Sequence, residues 1–315
     1  MAEIRPDPAD EAMVRRARER FRSSRARRVP RGSDAALPTV IVIGGLKCGT
    51  TSIHHYLSLH PQVQMSRPKE LNFFVAELNW PLGADWYVGH FTAAAQVRGE
   101  SSPHYTNLPR FGGVAERMRS LVPDARLIYM VRHPIDRALS HYLHNVAGGY
   151  ETRPLEVALA EPDTAYVDRS LYAAQLDDYA QRFPMERIEV VTQDELKGSR
   201  AQTMRRVFRF LEVDESFSSP QFSREWETGT GKRAGRFRLM DRAVRLPGLR
   251  ALDANFDRLP ESLRWLVERM VHDPESAAAS RPSLPEAIRE RLADRFRPDV
   301  ERLRAMTGRE FGWKL

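Results

Sequence analysis

A chain of 315 residues that is 42% hydrophobic and 29% charged carries enough apolar content for a real core, which excludes a disordered polymer. Its one cysteine, Cys48, excludes an intrachain disulfide framework and a cysteine-rich metal site. The net charge of +7 is concentrated: nine arginines and one acid between residues 14 and 31 carry +8, which leaves −1 for the rest, so no nucleic-acid partner is expected.

Residues 1–36 read as an Arg-rich N-terminal arm, flexible or partly helical, either a solvated extension or a contact for an anionic membrane surface. No apolar stretch of signal-peptide type follows the arginines, and the apolar run at 39–46 is far too short to span a bilayer, so a cytoplasmic location is expected. Residues 37–315 read as one domain. Short β-branched or apolar runs at 40–43, 97–100, 126–131 and 188–191 predict buried parallel strands. Helices are expected at 50–59, 108–121, 134–146, 170–183 and 200–211, and at 283–306 with a break or kink at Pro298. Residues from 215 to about 280, rich in Ser, Gly and Arg at first, read as a long loop or insert. Strands alternating with helices give an α/β fold, a P-loop-like parallel β-sheet flanked by helices on both faces. Ligands of such sheets sit at the carboxyl ends of the strands.

The first strand end reads Gly44-Gly45-Leu46-Lys47-Cys48-Gly49-Thr50-Thr51-Ser52. Glycines permit a tight turn with N–H groups facing an anion, the helix N-terminus adds open donors, and Lys47 and three hydroxyls add more. The composition is that of a phosphate cradle. A nucleotide-triphosphatase loop needs Lys after its second glycine, where this chain has Thr50, and no convincing magnesium-binding aspartate follows a strand. A nucleotide-dependent kinase and a ligand-free Gly-rich turn remain as alternatives.

Residues 38–74, PTVIVIGGLKCGTTSIHHYLSLHPQVQMSRPKELNFF, resemble the opening of the sulfotransferases that use 3′-phosphoadenosine 5′-phosphosulfate (PAPS). They are most similar to the heparan-sulfate type and its bacterial relatives. The resemblance runs on through Arg98 to Tyr105, Arg132-His133-Pro134 with Ser140, Arg169-Ser170-Leu171-Tyr172 and the C-terminal GREFGW at 308–313. It implies that Lys47, Cys48, Gly49, Thr50, Thr51 and Ser52 hold the 5′-phosphosulfate, that Arg132 and Ser140 hold the 3′-phosphate, and that Tyr172 lies near the donor and acceptor. It implies that Glu70 is the general base, with Lys47 the cation that stabilises the leaving group, and that no metal is needed. The alternative for Glu70 is a surface acid beside Lys69.

The chain departs from the pattern in three places. Asn72 stands where many relatives have histidine, Ser101 stands where the heparan-sulfate type has a lysine, and the Lys-Gly-Arg loop before the last helix is not visible. Lys69 or His104 are candidates to compensate for Ser101, and Arg281 or Lys232-Arg233 for the loop. Phe73, Phe74, Trp80, Trp86 and Tyr87 could line an acceptor cleft or form core, while His133, His141 and His144 read as helix-surface or packing histidines. The expected activity is sulfuryl transfer to a hydroxyl of a glycan, lipid or small metabolite. A PAPS-binding regulatory protein with weak catalysis is the alternative.

Overall fold

The structure is a computed structural model that describes residues 7–22, 36–161, 163–223 and 284–315. Most of the insert expected over 215–280, and the candidates Lys232, Arg233 and Arg281, lie outside the described residues. Among the described residues there are five parallel strands in the order β2-β3-β1-β4-β5. They are β1 (Val40–Gly44), β2 (Val63–Met65), β3 (Val97–Ser101), β4 (Arg126–Val131) and β5 (Ile188–Thr192).

The three central strands are buried almost throughout, as the unbroken apolar runs require. β1 pairs with β3 from Val40↔Gly99 to Val42↔Ser101, and with β4 from Val40↔Arg126 onward. The chain passes from β3 on one side of β1 to β4 on the other, so the carboxyl ends of these strands flank the place where strand order reverses. β2, three residues at the sheet edge, is absent from the sequence expectation because so short a segment carries no period.

Helices α2 (Thr50–Ser58), α5 (Pro134–Ala147), α8 (Tyr172–Ala180) and α10 (Arg200–Phe210) fall where the sequence places them, within a few residues. Shorter helices among the described residues are α3 (Ala84–Val88), α4 (Val114–Leu121), α6 (Leu155–Ala160), α7 (Ala165–Asp168) and α9 (Gln193–Gly198). α4 starts later than expected, after Gly113 at φ 69°, because Pro109 and the Gly112-Gly113 pair do not suit a helix. α11 (Glu286–Thr307) is one helix with Pro298 inside it, so of the break or kink expected there the break does not occur. The next residue, Asp299, caps α8: its carboxylate accepts from the Ala173 and Ala174 N–H groups, both at 3.0 Å. Helix α11 packs on α8, and that contact with the cap holds the proline turn in place.

The largest departure from expectation is at the N-terminus. Pro8–Arg22 form helix α1. Ala12, Val14 and Ala17 are buried, the last two in the main core, so this half of the Arg-rich stretch is docked on the domain. A four-residue spacing with small side chains, Asp10–Val14 and Met13–Ala17, gives the helix a face that can pack closely.

Candidate active site

The chain leaves β1 through Gly44 and Gly45, and the Gly45 N–H donates to the Met130 carbonyl of β4 at 2.6 Å. A Cβ on Gly44 would lie 1.9 Å from the Thr106 hydroxyl, so only glycine fits. Lys47 (φ 67°) and Gly49 (φ 92°) turn left-handed and bring the chain into α2. No side chain caps that N-terminus, so its first N–H groups remain for an anion.

Lys47, Gly49, Thr50, Thr51 and Ser52 line a cavity of about 450 Å³ together with Glu70, Arg132 and Ser140. Three separate sequence segments thus meet in one space, at the carboxyl ends of β1, β3 and β4. Arg132, only 6% exposed, follows β4 and reaches the Lys47 carbonyl with Nη1 at 3.5 Å. Cys48 and Tyr172 are placed differently: both are fully enclosed and neither lines the cavity. The Tyr172 hydroxyl accepts from the Arg132 N–H at 3.2 Å and meets Cys48 Sγ at 3.5 Å, tying the loop to the end of β4. Burial pushes the Cys48 thiol up, which keeps it protonated behind the loop.

Glu70 has a left-handed backbone (φ 66°), and its N–H donates to the Ser101 carbonyl at 3.1 Å. Its side chain is 42% exposed and pairs with Lys69 Nζ at 2.5 Å. The next turn hangs on buried Glu100. That carboxylate accepts from the hydroxyls of Tyr87 (2.8 Å), Tyr105 (2.6 Å) and Ser102 (2.6 Å). Two of these hydroxyls accept in turn from the backbone: Ser102 from Asn72 N–H at 3.0 Å, and Tyr105 from Phe73 N–H at 2.9 Å. Glu100 and Tyr105 are therefore scaffold for the segment that carries Glu70. Burial pushes the Glu100 carboxyl up.

Asn72 bonds to the Glu70 carbonyl through Nδ2 at 3.2 Å and does not line the cavity. Ser101 is fully buried and bonds to His54 Nδ1 at 2.9 Å. Of the two candidates to compensate for Ser101, Lys69 is the one beside Glu70. His104 instead receives Arg169 Nη2 at 2.7 Å. Phe73, Phe74 and Tyr87 are core, with Phe73 and Tyr87 stacked at 4.2 Å, so these three do not form an acceptor cleft.

Asp7, Asp10, Arg16, His141 and His144 line the cavity too and carry no motif that marks them, while His104 and Arg169 line it from the stretches at 98–105 and 169–172. His141 and His144 thus face the cavity, whereas His133 bonds to the Lys314 carbonyl at 3.1 Å. The local signal was the acid pair that precedes the arginines, the usual start of a helix. Among the described residues, no group of three or more His, Cys, Asp or Glu side chains could hold a metal ion, and no helix is long and apolar enough to cross a membrane.

The sequence pattern of the Sulfotransferase family matches residues 76–218. The chain is 27% identical over 288 residues to heparan sulfate glucosamine 3-O-sulfotransferase 6 of Mus musculus, covering 88% of this chain and 73% of that protein. It is 31% identical over 202 residues to the bifunctional heparan sulfate N-deacetylase/N-sulfotransferase 2 of Homo sapiens, covering 56% of this chain and 22% of that protein. It therefore spans only about a quarter of the length of such bifunctional relatives. A solved structure, a sulfotransferase from Alicyclobacillus acidocaldarius, superposes with a TM-score of 0.61 at 26% identity, covering 88% of this chain and 98% of that one. Parallel sheet, loop and matched sequence together make the chain similar to sulfotransferases in fold and over residues 76–218.

Proposed function

We propose that the protein transfers a sulfuryl group from PAPS to an acceptor hydroxyl on a glycan or small molecule. The observation that carries the reading is the convergence of Lys47, the α2 N-terminus, Arg132 and Glu70 on one cavity. An anion cradle and a carboxylate in one space supply what such a transfer needs.

The loop N–H groups, Lys47 and the hydroxyls of Thr50, Thr51 and Ser52 suit the 5′-phosphosulfate, and Arg132 with Ser140 suits the 3′-phosphate. The rest of the chain outside residues 14–31 sums to −1, so these cations act by position and not by bulk charge. In the reaction the acceptor oxygen forms a new bond to sulfur, and its proton passes to the Glu70 carboxylate. The bond between sulfur and the bridging oxygen breaks, and the electron pair leaves on that oxygen as adenosine 3′,5′-bisphosphate departs. In this reading Lys47 is the cation that stabilises that charge.

The test is transfer from sulfur-labelled PAPS by the purified chain to acceptors in a cell extract, with adenosine 3′,5′-bisphosphate binding measured in parallel. Labelled product that disappears in Glu70→Gln, with bisphosphate binding retained, is the expected result. Tight bisphosphate binding with no labelled product would replace the enzyme with a nucleotide-binding regulatory protein.

A further inference from the structure

Helix α1 contributes a wall to the cavity. Asp10, Val14 and Ala17, spaced i, i+4 and i+7, are buried. Ala9, Met13 and Arg16 have the same spacing on the adjacent face and line the cavity with Lys47, Thr51 and Glu70. One helix thus has one side in the core and the next side on the substrate space.

The first turn of α1 is fastened by five side chains. Asp7 Oδ2 lies 2.7 Å from His141 Nε2, and Asp7 Oδ1 accepts from Asn145 Nδ2 at 3.0 Å. Asp10 Oδ2 accepts from Asn107 Nδ2 at 2.7 Å, and Asp10 Oδ1 lies 3.3 Å from His104 Nδ1. The Arg169 guanidinium stands within 3.9 Å of Asp7 and 3.7 Å of Asp10. Both carboxylates are nearly inaccessible, and charge this well partnered fixes position. His104 follows Ser101 and Ser102, which hold the backbone of Glu70 and Asn72, while His141 adjoins Ser140. The start of α1 therefore bridges the Glu70 side and the Ser140 side of the cavity.

From there the helix runs to Tyr150, whose hydroxyl lies 3.3 Å from Arg16 Nη2. Among the described residues, no ion pair joins Arg16 to a carboxylate. A guanidinium has five N–H donors, so one phenol leaves capacity for an anion.

We propose that α1 is the acceptor-side wall of the transfer site, and that Arg16 is a specificity-determining residue that receives a negatively charged group of the acceptor. Met13 packs against the acceptor's carbon skeleton. The inference rests on the sulfuryl-transfer reading: once the loop and Arg132 take the donor's anionic groups, the space between Glu70 and α1 is left for the acceptor. Asp7 and Asp10 are positioning residues that hold the wall.

The experiment uses the full chain, sulfur-labelled PAPS, and a cell extract separated by anion exchange into charged and uncharged acceptor fractions. The wild type is expected to label the charged fraction. Arg16→Ala should raise the half-saturating amount of that fraction about tenfold while keeping the rate at saturation, and Arg16→Lys should recover part of the loss. Affinity for adenosine 3′,5′-bisphosphate, read by calorimetry, should stay unchanged in both variants, and their melting curves should match the wild type. Labelling that is indifferent to Arg16, or confined to uncharged acceptors, overturns the proposal. So does an equal loss of bisphosphate affinity, which would put α1 on the nucleotide. A wild type that binds bisphosphate and labels nothing fails the transfer reading itself, and this inference with it.

Discussion

Lys69 Nζ stands 2.5 Å from Glu70 Oε1, and Glu70 takes a left-handed backbone at the same point. With Glu70 42% exposed, such a pair adds little to stability. Its consequence is orientation, because a carboxylate bonded on one oxygen has fewer rotamers and presents the other oxygen in a fixed direction. Glu70→Gln is expected to slow transfer by roughly 10²–10⁴-fold, the usual worth of a general base. Lys69→Met should cost less, about tenfold, through lost positioning. Neither should change bisphosphate affinity. Single-turnover rates with labelled PAPS, beside calorimetry, check this, and a Glu70→Gln rate close to wild type would remove Glu70 from the role.

Arg132 and the Gly-rich loop are coupled through Tyr172, whose hydroxyl meets Arg132 N–H and Cys48 Sγ. Arg132→Ala removes a guanidinium suited to a phosphate and should weaken bisphosphate binding by roughly 10- to 100-fold. Tyr172→Phe removes a hydroxyl that touches no cavity surface. It should weaken binding only a few-fold and cost about 1 kcal/mol of stability. Calorimetry and urea unfolding separate the two, and a Tyr172→Phe loss as large as that of Arg132→Ala would make Tyr172 a direct ligand contact.

Much of this was legible because parallel strands buried on both faces are written as unbroken apolar runs. The strand at 126–131 was read to the residue, and the Gly-rich segment after Ile43 announced its turn. Glu70, Arg132 and Ser140 were legible only through resemblance, since a Lys-Glu pair or an Arg-x-Pro has many bland uses. What stayed hidden was tertiary. The docking of α1 depends on Asp7 and Asp10 meeting His141, His104, Asn145, Asn107 and Arg169, partners far along the chain that no local pattern pairs with them. The arginines drew the eye to charge in that stretch, whereas the small and acidic residues beside them decide where it packs. The hub role of Glu100 was hidden for the same reason, as its three hydroxyl partners become neighbours only in the fold.

Glu100 is the point where a stability change should become an activity change. It is fully buried and takes three hydroxyl bonds, and two of those hydroxyls hold the backbone of residues 72 and 73. Glu100→Gln keeps the shape but replaces one acceptor oxygen with a donor, so either Ser102 or the Tyr87 and Tyr105 pair loses its acceptor. A loss of about 2–4 kcal/mol in urea unfolding is expected. Transfer should fall even where the variant is fully folded, because the Glu70 segment loses its anchor. A folded Glu100→Gln variant with wild-type transfer would show that Glu70 is held by the Ser101 carbonyl alone.

His54 gives the pH dependence a direction. Its imidazole bonds to Ser101 and is half-buried near Lys69, and burial, followed by the Lys69 cation, pushes its pKa down to about 3; the Glu70 carboxylate opposes that shift. In the unfolded chain the group titrates near its ordinary value of 6.5. Below 6.5 the unfolded state therefore binds a proton that the folded state refuses. The contribution is complete above pH 6.5 and is lost progressively as the pH falls toward 3. Between pH 7 and pH 5 it amounts to about 2 kcal/mol. His141, pushed down to about 4 by its burial, acts in the same sense. His54→Gln can keep a hydrogen bond to Ser101 but cannot titrate. Its urea midpoint should fall less from pH 7 to pH 5 than that of the wild type, by the equivalent of about 2 kcal/mol. Identical pH slopes in the two proteins would mean that His54 takes up its proton in the folded state as readily as in the unfolded one.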